Sequence, residues 1–170
     1  MNKLFLMLLF VGFFFLKAQA DNILLPYDYS DTHSIPIKMN ILEEISTKDG
    51  LIEGDIVKLK VKRDVYDKRN LIVKKNTIVT AKIETYITKG MNGFPAEIIL
   101  DNFQIEGIKD TQLLSTYTKT GKNFAPLVYP IKWALTPIPF LGSVTNLITG
   151  TNATIRTDDD IVIQYFPNWK

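Results

Sequence analysis

The side chains suited to chemistry are few in this chain, and their spacing assembles no active site. The single histidine, His33, falls among turn-forming residues that would not orient it as a general base or triad member. Cysteine is absent, which excludes disulfides, thiolate nucleophiles and a lipid-modified N-terminal cysteine. With one histidine and no cysteine, zinc and copper sites of the usual kinds lack their preferred ligands. Carboxylates are more numerous: Glu43-Glu44, Asp101 and the triplet Asp158-Asp159-Asp160. Two acids that face each other can hydrolyse a glycosidic bond, but spacing along the chain leaves that pairing open. The triplet reads as a solvated turn, because it lacks the Asp/Asn and Gly periodicity of a calcium loop.

Two basic features need weighing. Lys58, Lys60 and Lys62, with Arg63 beside them, form a stripe that could receive an anionic polymer such as peptidoglycan or lipopolysaccharide. A solvated strand face explains the same stripe, and lysines there discourage edge-to-edge pairing. The dipeptide Gly121-Lys122 invites a phosphate-loop reading and fails it. Asn123 stands where Ser or Thr is needed, and Thr116 where the first glycine is needed. No catalytic, cofactor-binding or metal-ligating residue is therefore assigned, and a non-enzymatic protein without a cofactor is the expectation.

The elements that must carry these residues are strands. Val57, Leu59 and Val61 alternate with Lys58, Lys60 and Lys62, a period of two that sets one face on a core and the other in water. A helix would scatter those lysines around its cylinder. Ile37–Ile45 reads as an earlier strand, and Ser46–Gly54 as a polar link. Turns at 67–70 and 74–76 flank a short strand at Leu71–Val73. Thr77–Thr88 alternates again, Gly90–Gly93 makes a hairpin corner, and Ala96, Ile98 and Leu100 set the next inward face. Phe103 and Ile105 continue that face less regularly. Short strands at Leu113-Leu114 and Ala153–Arg156 and a final one at Ile161–Phe166 complete the set. One-faced strands with short connections favour a sandwich or barrel. The expected fold is all-β, a small closed or partly open barrel with a proline-rich apolar segment and room for one short helix.

That apolar segment, 124–149, has Lys132 as its only charge and prolines at 126, 130, 137 and 139. The prolines forbid one continuous helix. Phe140–Thr149 still suits a short one, with Phe140, Leu141, Val144, Leu147 and Ile148 on one side. Two readings compete: a lid or plug packed over one end of the barrel, and a surface that meets lipid or a partner subunit. Large exposed apolar patches are uncommon on monomers, so the segment is expected to be covered in one way or the other. The interaction reading rests on Tyr129, Trp133, Phe140, Leu141, Val144 and Ile148.

The N-terminus supplies the compartment. Met1-Asn2-Lys3 is a short positive start, Leu4–Leu16 is apolar, and Ala18-Gln19-Ala20 has small residues where a signal peptidase reads them. Residues 1–20 are expected to be a signal peptide, 21–34 an extended lead-in, and 35–170 one barrel domain. The apolar run is short for a membrane span, which needs roughly 20 residues. Lys17 nevertheless interrupts the approach to the cleavage site and leaves an uncleaved N-terminal anchor as the alternative. Export without cysteine points to the periplasm or the periplasmic face of an outer membrane, with secretion as the alternative. The chain has 20 basic and 18 acidic residues, and loss of Lys3 and Lys17 would leave 18 against 18. That balance suggests no nucleic acid partner. The distribution is less even: 111–157 contains no acid, but it contains Lys119, Lys122, Lys132 and Arg156.

Several short motifs resemble one family. EEIST (43–47), Gly54, DVYD (64–67), LIVKKNT (71–77) and NATIRTDDDIVIQYF (152–166) are similar to the C-terminal barrel domain of TrbI-like scaffold proteins of conjugation and type IV secretion. The resemblance covers most of 35–166. It departs at Val73, Lys75 and Asn76, where the family has Pro, Gly and Ser, and the paired helices by which some members build a pore are not matched. It implies a barrel and an assembly role, with envelope subunits or further copies of this chain as partners and peripheral membrane contact through 124–149. The competing expectations are a periplasmic carrier of an apolar or glycan ligand, with Tyr129, Trp133 and Phe140 at its mouth, and a carboxylate hydrolase.

Overall fold

The computed structural model describes residues 33–138 and 140–169. The expected signal peptide and most of the lead-in fall on residues 1–32, outside the described residues. In chain order the strands begin with β1 (Ile35–Ile41), β2 (Ile45–Ser46), β3 (Ile56–Val61), β4 (Val65–Asp67) and β5 (Asn70–Val73). Then come β6 (Ile78–Ile87), β7 (Glu97–Ile105), β8 (Leu113–Leu114) and β9 (Tyr117–Thr120). Two helices follow, α1 (Ala125–Leu135) and α2 (Leu141–Val144), before β10 (Thr154–Ile155) and β11 (Ile161–Tyr165).

Alternation decides which side of each strand is buried. In β3, Val57, Leu59 and Val61 are buried, whereas Ile56, Lys58 and Lys60 face water. Its antiparallel neighbours continue that inner face, with Met39 opposite Val61 and Val79 opposite Leu59. Seven strands in the order β8-β11-β1-β3-β6-β7-β9 form one curled, open sheet, a half-barrel whose concave side holds the core. The pairs β2–β10 and β4–β5 stand apart from the ladder. Across the gap, the Lys119 ammonium on β9 reaches the Asp159 carboxylate, in the turn before β11, at 2.8 Å. Side chains span there what a closed barrel would join with backbone hydrogen bonds.

The irregular inward face of β7 has a local cause. Thr80 pairs with Gln104 and Lys82 with Asp101, so two residues of β7 oppose Ala81 alone. Asn102 takes up the extra residue in a left-handed conformation (φ 52°). The bulge shifts the buried set from Ile98 and Leu100 to Phe103 and Ile105.

The expected all-β class needs correction, because the fold is mixed. Two helices, Ala125–Leu135 and Leu141–Val144, belong to it, and a 3₁₀ turn, Thr145–Leu147, extends the second. Prolines do not prevent α1. Pro126 sits in the first helical turn, where its missing N–H has no helical acceptor, and Pro130 removes a single intrahelical bond.

Candidate interaction surface

The two helices form a hairpin mounted on the turn between β6 and β7. Its incoming stem leaves β9 through Gly121, whose N–H donates to Ala96 O at 2.9 Å. The outgoing stem passes Gly150, whose N–H donates to Phe94 O at 3.2 Å. A side chain at either glycine would overlap backbone, Thr151 O in one case and Phe94 O in the other. The stems also bind each other: Lys122 N–H donates to Thr151 Oγ1 at 2.6 Å, and Thr151 N–H to Lys122 O at 3.2 Å. Gly93 N–H reaches Ile148 O at 2.8 Å, and Phe124 N–H reaches Gly93 O at 2.9 Å. The hairpin is thus fixed at its base.

Its inner side is packed. Ala125, Val128 and Thr145 are buried, and the Tyr129 ring meets Phe94 edge-on with centroids 6.2 Å apart. The only charged side chain of the segment also serves this inner side. Lys132 Nζ donates to Asn92 Oδ1 and Asn146 Oδ1, each at 3.1 Å. The remaining outward surface among the described residues carries no charge and is mostly apolar, with Thr136, Ser143 and Thr149 as its exposed hydroxyls.

Each residue expected to form an interaction surface is exposed to some degree. Trp133 is 75% and Phe140 90% exposed, Val144 about half, and Tyr129, Leu141 and Ile148 less so. Sequence reasoning missed Leu127 (68% exposed) and Ile131, which share one helix face at a spacing of four. That spacing would have been visible had a helix been placed over 125–135. Also missed were Met91 and Phe94, exposed apolar residues in the mounting turn. At the tip, Phe140 has a left-handed backbone with φ 67°, which is uncommon for a bulky residue. Among the described residues, no helix is long and apolar enough to cross a membrane.

Several of the chemistry-capable side chains lie elsewhere, in contacts that tie strands and turns together. Asp159 accepts from Lys119 Nζ and from the Arg156 N–H at 2.9 Å, and its backbone carbonyl accepts from Asn40 Nδ2 at 2.7 Å. Burial alone would raise its carboxyl pKa; the Lys119 hydrogen bond, the Arg156 amide and both positive charges outweigh burial and hold it below the usual range. Lys62, from the basic stripe, pairs with Asp160 and lowers that carboxyl too. Asp159 and Asp160 therefore brace the turn before β11 against Lys119 on β9 and Lys62 just after β3. Burial raises the Tyr117 phenol beside it, opposed by Lys119 and helped by Asp159. His33 lies 3.5 Å from Asp67. Among the described residues, no three His, Asp or Glu side chains gather to hold a metal.

Among the described residues, three of the cavities have the following linings. A groove of about 380 Å³ runs beside Ile41, Leu51 and Ile83 and includes Glu43 and Asp55. A second, of about 580 Å³, is flanked by His33, Tyr66 and Pro167. The third, of about 350 Å³, lies at the base of the hairpin among Lys119, Lys122 and Arg156. None of the three is lined by Tyr129, Trp133 or Phe140, the residues expected at a carrier's mouth. No family model matches the chain, and no curated protein matches it either.

Proposed function

We propose that this chain is an exported, non-enzymatic envelope protein, in which the half-barrel is a rigid mount and the hairpin is the contact surface. One observation carries the reading: an apolar projection with no outward charge, held firmly at its base. Isolated monomers seldom display continuous apolar surface of this kind, and where they do it marks an interaction site. The apolar leader and its small-residue cleavage pattern support export. The resemblance to secretion-scaffold barrels supports a place within an envelope assembly, alongside other subunits or further copies of the chain.

The test is the native mass of the protein extracted from its own envelope in mild detergent, with co-purifying chains identified. A defined complex, or a mass that collapses when Leu127 and Leu147 become lysine, is the expected result. A monomer released freely without detergent would overturn the proposal.

A further inference from the structure

The acid-free stretch 111–157 is only partly used by the hairpin. Its remaining cations converge on the third cavity, the one at the hairpin's base. Lys119, Lys122 and Arg156 line it against a single carboxylate, Asp159. That carboxylate is already engaged by the Lys119 ammonium and the Arg156 backbone amide. Neither Lys122 nor Arg156 forms a side-chain ion pair among the described residues. Thr151 and Thr154 belong to the same lining, with their hydroxyls already bonded to the Lys122 N–H and to Ser46 Oγ. The cavity therefore offers cationic donors with surplus positive charge, the chemistry that receives a phosphate group.

Its position narrows the source of that phosphate. Lys122 is three residues before α1, and Thr151 lies just beyond the end of the second helical segment, so both stems of the hairpin border the cavity. Above it α1 exposes Leu127, Ile131 and Trp133 with no outward charge, apolar surface suited to the acyl region of a leaflet. An α-helix of 11 residues is about 16 Å long, roughly half of a hydrocarbon core of about 30 Å. The hairpin is long enough to enter one leaflet and too short to cross both.

We propose that the hairpin 124–149 inserts into one leaflet of a bilayer, and that Lys119, Lys122 and Arg156 at its base receive the phosphate of an anionic lipid headgroup. Apolar burial supplies attachment, and the cations supply preference for negatively charged surfaces. The inference rests on the hairpin being the contact surface and names lipid as what it contacts.

The test uses the protein purified from its own envelope with Trp169→Phe, which leaves Trp133 as the one tryptophan of the two. It is mixed with vesicles of phosphatidylcholine alone, and with vesicles of equal parts phosphatidylcholine and phosphatidylglycerol. The expected result is a shift of Trp133 emission to shorter wavelength, strongest with the anionic vesicles, and quenching by bromine-labelled acyl chains. Lys122→Ala with Arg156→Ala should weaken binding to the anionic vesicles about thirtyfold, and binding to phosphatidylcholine alone, whose zwitterionic headgroup also carries a phosphate, by much less. Leu127→Lys with Leu147→Lys should abolish the shift on both. Equal binding by the Lys122/Arg156 variant overturns the headgroup site. Binding of inorganic phosphate at those residues, with Trp133 still water-exposed on vesicles, overturns the lipid source. A water-exposed Trp133 in a protein of large native mass overturns lipid contact but leaves the assembly reading intact. A free monomer that binds no vesicle overturns both.

Discussion

At Phe140 the backbone is left-handed (φ 67°) while the ring is 90% exposed. That conformation costs an L-residue about 1–2 kcal/mol, and an exposed ring recovers little of it within the isolated chain. Phe140→Gly is expected to raise the unfolding midpoint in a thermal melt while making the protein easier to extract from its envelope. A variant that melts lower would assign the ring a structural contact instead. Asp159 presents the opposite case, a residue that works within the fold. Its folded carboxyl pKa lies below the unfolded one, so its stabilisation is complete above the ordinary carboxylate range. It is lost as pH falls from that range through the lower folded value. Asp159→Asn should cost about 1 kcal/mol by denaturant titration at neutral pH, with the gap to wild type closing as the medium is acidified. A gap that stays constant with pH would assign the effect to turn geometry and not to charge.

Among the elements, α1 contains its own test. Pro130 lies inside the helix and cannot donate to the carbonyl of Pro126 one turn back. Pro130→Ala restores that bond, and a stability gain of up to about 3 kcal/mol is expected from the rise in melting temperature. A fall would mean that the proline ring itself is needed in the packing between α1 and α2. The proline also explains why the helix was not legible in the sequence: counting prolines hid that Pro126 occupies the one turn that tolerates it. Strands β3, β6 and β11 were legible because alternation is a local signal, written in residues such as Val57, Leu59 and Val61. β9 was not, since Tyr117-Thr118-Lys119-Thr120 offers one apolar residue and no contrast between faces. The shift at Phe103 was visible as an irregularity, but its cause lies in pairing with β6, which a single strand cannot reveal. Composition named the six residues of the candidate surface. It could not say whether they would be covered, because a plug and a projection have the same apolar content. The cavity at Lys119, Lys122 and Arg156 depends on a seam between strands distant in sequence, and the absence of acids over 111–157 was its only trace.

For the molecule as a whole, the mount and the projection should respond to mutation in opposite ways. Leu59 is fully buried in the middle of the curled sheet, between Ile41 on β1 and Val79 on β6. Leu59→Ala removes methyl groups from a closed core and should cost about 2–5 kcal/mol. Attachment to the envelope should weaken only as far as the folded fraction falls. Leu127 and Leu147, 68% and 81% exposed, lie outside that core. Replacing both by lysine should change folding stability by no more than about 0.5 kcal/mol at each site. Native mass, or the detergent needed for extraction, should nevertheless change sharply, because two charges now stand on a surface that carried none. Measuring unfolding and extraction for both variants separates the two roles. If the lysine pair unfolds the protein as readily as Leu59→Ala does, the hairpin is a covered part of the core in solution. If it leaves folding intact and extraction altered, the apolar surface is held exposed for something outside the chain.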